Sequence, residues 1–187
     1  MRKLPTFLLN FRFPWGVLVL YFEIPSKFRP FLKPHADEHS MEGMKPHADE
    51  HSMEGMTAAE RTLATFFMAD EAEKNSSLKL IPYVAKGPWI VRNMVIGKPA
   101  IIGNKLPVTY TYEPAKNEMA EYLEADLDIG NSSATARRIV SVCRRYMNSL
   151  TCDIGFVVQG NSENELPEQM LGSVRIHGVD PLKAPTL

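Results

Sequence analysis

Two copies of one short peptide carry the residues best suited to chemistry in this chain. Residues 33–44 read KPHADEHSMEGM, and residues 45–56 repeat them letter for letter. Within the copies, His35, Glu38 and His39, and again His47, Glu50 and His51, have the H-x-x-E-H spacing. In that spacing a helix can present two imidazoles to zinc and a carboxylate to the attacking water. Such a helix must dock beside a cleft, yet Pro34, Gly43 and Pro46 flank the pattern and no apolar stripe accompanies it. Residues 33–56 are therefore expected to form a disordered low-complexity linker. Adventitious metal binding by His35, His39, His47 and His51 is the weaker alternative, and a metal-dependent hydrolase the most distant.

Elsewhere the candidates are charged rather than nucleophilic. Glu124, Asp126 and Asp128 alternate along one stretch, so their carboxylates share a strand face where oxygen ligands could meet a hard cation. Cross-strand pairing is the expected use of that face, with Arg175 and His177 as the natural partners. Asp153 sits in the most apolar run of the chain and is expected as a buried carboxylate with a partner or a cleft. Arg137, Arg138, Arg144 and Arg145 fall on the polar side of one amphipathic segment. Lys86, Trp89 and Arg92 surround a Gly87-Pro88 corner, so Trp89 is expected to follow a turn rather than sit inside a regular element. Those seven residues would suit an anionic lipid surface, because guanidinium and ammonium groups attract headgroups and an indole is apolar with one polar edge. The competing reading is a solvated helix face and a buried tryptophan. No serine, cysteine or histidine stands in a triad-like context, and no cofactor motif is present.

Composition bounds the rest. The chain has 187 residues, 44% hydrophobic and 23% charged, enough for one domain with a real core. A formal net charge of -1 gives no basic bias, so no nucleic-acid partner is expected. Two cysteines, Cys143 and Cys152, read as reduced, buried thiols and a cytoplasmic compartment, with a disulfide between them left open. Arg2 and Lys3 ahead of an apolar run resemble a secretory leader, but Arg12 and Pro14 interrupt that run. A hairpin, residues 6–13 and 17–24 joined at Pro14-Trp15-Gly16, is the expected alternative.

The elements that must position these groups follow from periodicity. Thr57 with Glu60 forms a capping-box pattern ahead of Leu63, Phe66 and Phe67, and that helix should run to about Asn75. Residues 100–103 and 108–112 read as strands, as does the strict alternation of 122–129. Ser132 and Ser133 then cap a helix over 134–150 whose apolar side is Ile139, Val142, Cys143, Tyr146, Met147 and Leu150. Residues 152–159 read as a central strand covered on both faces, 163–171 as a short helix broken at Pro167, and 173–177 as a last strand. The fold class is α+β: a mostly antiparallel sheet with helices packed on one side, with the strand pair of 1–32, the linker 33–56 and a main body at 57–187. The stretch 122–179 looks like one compact half-domain.

Several segments in order, Lys79-Leu80-Ile81-Pro82, Lys86 to Val91, Gly97-Lys98-Pro99, Tyr122 to Gly130, Asp153, and Glu165 to Arg175, resemble the C-terminal domain family of the plant protein Enhanced Disease Resistance Two. The resemblance covers residues 78–187 well and 7–24 more loosely. It implies a domain that accompanies a phosphoinositide-reading module and a lipid-transfer module in a regulator of defence at membranes, with no known catalytic residue. It further implies an opening segment that has no counterpart here, as in a truncated copy, and gives the duplicated stretch and the arginine stripe no family equivalent. The expected function is thus a non-enzymatic lipid- or membrane-associated regulatory domain, cytoplasmic or peripheral at membranes, whose apolar interior could hold a lipid tail. A protein-interaction module without a lipid ligand is the alternative.

Overall fold

A computed structural model describes residues 3–32, 53–95 and 99–185. The duplicated histidines therefore lie outside the described residues. The first strands form the expected hairpin: β1 (Thr6–Phe13) and β2 (Gly16–Glu23) pair antiparallel in full register. Their alternation sends Phe7, Leu9, Phe11, Leu18, Leu20 and Phe22 to one side, where all six join the main core. A 3-10 turn, Ser26–Phe31, adds the buried rings of Phe28 and Phe31.

After the undescribed stretch, α1 (Ala58–Met68) opens with the predicted capping box: the Thr57 side chain accepts from the Glu60 amide, and the Glu60 side chain accepts from the Thr57 amide at 2.8 Å. The helix does not reach Asn75. Asp70 starts a second one, α2 (Glu71–Ser77), by accepting from the Glu73 amide at 2.8 Å, an Asp-x-x-Glu signal that divides the segment in two. Next come β3 (Leu78–Lys86), α3 (Trp89–Val95), the two-residue β4 (Ala100–Ile101), β5 (Val108–Glu113) and β6 (Tyr122–Asp128). The chain ends with α4 (Ala134–Tyr146), β7 (Thr151–Val158) and β8 (Met170–His177).

The strands make two sheets rather than one. The first has order β2-β1-β6-β5 and the second β4-β3-β7-β8, every pair antiparallel except β1–β6. Their inner faces meet through aromatic rings: Phe156 of β7 lies 5.6 Å from Phe22 and 6.2 Å from Phe11. The α+β class with mostly antiparallel pairing holds, but the stretch 122–179 is no half-domain, because β6 belongs to one sheet and β7 and β8 to the other. The short helix expected over 163–171 is also corrected. A single 3-10 turn, Glu163–Glu165, leads to the Leu166-Pro167 bond, and the last strand begins early, at Met170. Pro167 cannot continue a helical hydrogen-bond ladder, and Met170 finds a partner in Val157 instead.

Helices close the two ends of this sandwich. At one end α1 places Phe66 and Phe67 edge-on to Phe7, at 6.1 and 6.4 Å. At the other, a smaller core of Val84, Val91 and Leu150 takes in Val142, Cys143 and Tyr146 from α4, Val95 from α3 and Cys152 from β7. No described helix is long and apolar enough to cross a membrane.

Candidate functional site

The corner at Gly87-Pro88 opens a helix, which corrects the expectation that Trp89 follows a turn outside regular structure. The carbonyl of Pro88 accepts from the Val91 amide at 3.1 Å and the Arg92 amide at 3.2 Å, so proline occupies the helix start, where its missing N–H costs nothing. Gly87 has φ +153, and a Cβ there would run into the Leu150 side chain. Glycine there lets the chain pass close against Leu150, the residue that leads from the turn after α4 into β7. One side of α3 buries Val91 completely; the other leaves Trp89 73% exposed and Ile90 40% exposed. Lys86 and Arg92 are exposed beside them, and Arg92 Nη2 donates to the Ala85 carbonyl at 3.0 Å, which holds its guanidinium over the turn. The reading of a buried tryptophan is thereby corrected, because α3 turns Val91 and not Trp89 to the core.

The arginines of α4 divide into two rows. A rotation of about 100° per residue puts Arg137 and Arg144 together on one flank and Arg138 and Arg145 on the other. The first row is occupied: Arg137 donates to the Ser132 carbonyl, and the Arg144 guanidinium lies 5.0 Å from the Trp15 ring centre. Trp15 is itself stacked on Phe13 at 4.7 Å, so Arg144 completes a cation–π stack over the β1–β2 turn. The second row flanks Val142 and Tyr146, which share the small core with Val91 of α3. Arg138 and Arg145 make no hydrogen bond or ion pair among the described residues, and Arg145 lines a cleft with Arg144, Ser141, Asn148, Asp180 and Leu182. Leu182, on the rim of that cleft, is 89% exposed. Sequence reasoning missed both Ile90 and Leu182; the first follows Trp89 in the chain, whereas the second carries no local signal.

The acidic candidates resolve as structure. Asp126 accepts from Arg12 Nη1 at 3.0 Å, Glu124 accepts from Asn10 Nδ2 at 2.9 Å, and Asp128 caps the next turn by accepting from the amide and side chain of Asn131. Those Asn131 bonds hold the Asp128 carboxyl below its usual range. The expected partners Arg175 and His177 lie in the other sheet, so that pairing is overturned. Arg175 instead grips Asp153 with two bonds, 2.6 and 2.8 Å, lowering the Asp153 carboxyl, while His177 Nδ1 lies 2.7 Å from the Thr151 hydroxyl. Asp153 has its partner but is not buried: it lies on the open outer face of the second sheet with a third of its side chain exposed. Its strand reads as covered on both sides because the inner-face apolar residues alternate with Thr151, Gly155 and Val157, which are themselves buried; Asp153 alone on that outer side stays part-exposed.

Both cysteines are free and half-buried, and burial pushes the Cys143 thiol up to about 11 and raises that of Cys152, which favours the uncharged thiol. Among the described residues no group of three His, Cys, Asp or Glu is arranged to hold a metal. The inner faces of the sheets are in ring-to-ring contact. A cavity of about 250 Å3 opens at one margin between Phe22, Phe28, Leu63 and Leu171, with the Lys27–Glu60 ion pair at its rim. That is smaller than the roughly 300–1,000 Å3 usual for a ligand site. Two more open clefts of about 490 Å3 each lie at the surface, one on the outer face of the second sheet and one beside Arg145.

Comparison with known proteins places the chain. It is 39% identical over 115 residues to an Arabidopsis thaliana protein named Protein ENHANCED DISEASE RESISTANCE 2-like, an alignment covering 62% of this chain and 15% of that protein. The chain therefore spans a small part of its relative's length. No solved structure matches. The family model described as Protein ENHANCED DISEASE RESISTANCE 2, C-terminal, matches residues 1–180, nearly the whole of this two-sheet sandwich with its exposed α3–α4 end, and the chain belongs to that family.

Proposed function

We propose that this domain is a non-enzymatic regulatory module that rests on an anionic, cytoplasm-facing membrane through α3 and α4. The observation that carries the reading is Trp89, 73% exposed at the first turn of α3, with Ile90 beside it and cations around it. An exposed tryptophan next to an exposed isoleucine is apolar surface that water solvates poorly, and at a headgroup boundary both ends of the indole are satisfied. Lys86, Arg92, Arg138 and Arg145 would add about 1 kcal/mol each near a charged surface. Arg137 and Arg144 hold this end of the molecule in shape.

Flotation with vesicles tests it. The protein is expected to float with phosphatidylserine-containing vesicles, to float less as salt rises, and to stay behind with pure phosphatidylcholine. Trp89→Ala and the double change Arg138→Glu/Arg145→Glu should each weaken flotation, the charge reversal losing its salt dependence. Equal flotation of all three proteins, or none by the wild type, would sink the reading.

A protein-docking role is the second reading, favoured by the open outer face of the second sheet. There Tyr83 is 60% and Met170 59% exposed, on either side of a cleft floored by Gly155. Recovery of one protein partner that Tyr83→Ala abolishes, with no vesicle binding, would select it.

A further inference from the structure

The two sheets have four edges, and three of them are guarded. The β4 edge is two residues long. The β5 edge is partly covered by α2, whose Asn75 Nδ2 donates to the Val108 carbonyl at 3.2 Å, and the strand ends on Glu113. The β8 edge carries Arg175 and an irregularity where Phe156 gives way to Val157. Short length, cover, charge and bulges are the devices by which edge strands avoid pairing with other chains.

Among the described residues the β2 edge is neither short, covered nor bulged. Gly16–Glu23 reads GVLVLYFE, eight residues in unbroken register with β1, with no proline and one charge, at its last position. Among the described residues β1 is its only hydrogen-bonded strand partner. The direction of its free backbone groups follows from its surroundings. The Ile24 amide donates to the Pro5 carbonyl at 2.8 Å, whereas the Thr6 amide turns the other way, to Glu121. Hydrogen-bonded and non-bonded pairs alternate along an antiparallel ladder, so Leu18, Leu20 and Phe22 direct their amides and carbonyls to β1. Val17, Val19, Tyr21 and Glu23 direct theirs outward. Their side chains also point away from the core, with Val17 49% and Tyr21 64% exposed.

We propose that β2 pairs antiparallel with β2 of a second copy, about a twofold axis at Leu20, so that the first sheet runs continuously through a homodimer. The strand is its own complement in this register. Val19 stands opposite Tyr21 of the second copy and Val17 opposite Glu23, which matches outward-directed backbone groups with outward-directed ones at every pair. A β-branched residue facing an aromatic one is a favourable cross-strand pair. Leu18 faces Phe22 of the second copy on the inner side, extending the apolar face already built there. The two Glu23 carboxylates lie at opposite ends of the joint and do not confront each other. The contact is isologous and closes on itself, so it yields a dimer rather than a fibre. It uses neither α3 nor α4, and it stands or falls independently of membrane contact.

Sedimentation of the full chain across a micromolar concentration series is the test, beside Val19→Lys and Tyr21→Lys, which put a charge on the free edge while leaving the core side of β2 untouched. The wild type is expected to double its mass with rising concentration, and each variant to weaken the association by about tenfold or more while keeping the wild-type circular dichroism. Amide exchange of the wild type at low and high concentration gives an answer that needs no variant. Protection should grow with concentration at Val17, Val19, Tyr21 and Glu23 and stay constant at Leu18, Leu20 and Phe22. A monomer at every concentration, a dimer indifferent to both lysines, or protection that rises elsewhere and not on β2 would each overturn the proposal.

Discussion

The two ends of the sandwich are closed by helices of similar length that treat their sequences in opposite ways. In α1, Thr62, Ala64, Phe66 and Phe67 are buried, and four of the ring-to-ring contacts of the molecule involve Phe67 or Phe66 with Phe7, Phe28 or Tyr110. In α4 no residue is buried, although its polar and apolar sides are more sharply separated. Sharp amphipathicity therefore does not measure how deeply a helix packs. The first helix plugs a core; the second lies mainly on a small one, touching the main core through Val140, with Arg138 and Arg145 in water. The end that contributes least to the core is the one closed by the more sharply two-sided helix.

Truncating each helix would sharpen this contrast most. Phe67→Ala should cost about 4 kcal/mol of unfolding free energy, because a large side chain is removed from a close-packed site. Tyr146→Ala on α4 should cost about 1 kcal/mol. Urea denaturation of both variants checks the ratio, and equal losses would erase the distinction.

Lys74 comes next. It is 2% exposed, its ammonium donates to the Ala69 carbonyl and lies 5.8 Å from the Tyr110 ring, and burial lowers its pKa from 10.5 to about 8. The unfolded chain thus holds this proton more tightly than the folded one, so stability should rise as pH climbs from about 8 to 10.5, by as much as about 3 kcal/mol. Lys74→Met should flatten that rise and stabilise the protein at pH 7, as melting at a series of pH values would show.

Two smaller effects follow. Thr57→Ala removes an N-cap and should cost about 1 kcal/mol at the α1 end, read by the same denaturation. Arg144→Ala should cost about 0.5–1 kcal/mol through its lost stack on Trp15, whereas Arg145→Ala should leave stability unchanged. An equal loss from both would mean that the two arginine rows do not differ.

What was legible in the sequence was local. The capping box at Thr57 and Glu60, the hairpin, the alternation of β6 and the apolar side of α4 all depend on residues a few positions apart. The acidic face of β6 was equally plain, but its partners were not. Asn10 and Arg12 lie 114 residues from Glu124 and Asp126, and no local pattern says which strand will come alongside. The helix at Trp89 was hidden because Gly87-Pro88 also marks turns; Val91 and Val95, four apart and both in the small core, were the available signal. Asp153 was read as buried because its strand is rich in apolar residues, yet burial depends on what covers each face. Of the candidate surface, the chemistry of Trp89 and the arginines could be read directly, whereas the division of the arginines into two rows depends on Trp15, more than a hundred residues away.

The parallel pairing of β1 with β6 has a consequence for how the chain is made. Phe7, Leu9 and Phe11 belong to a strand whose central neighbour is Tyr122–Asp128, so the first hairpin leaves the ribosome long before the segment that completes its sheet exists. During that interval a greasy ribbon with no finished core must be shielded, and a nascent chain stalled short of residue 122 should be a strong client for chaperones.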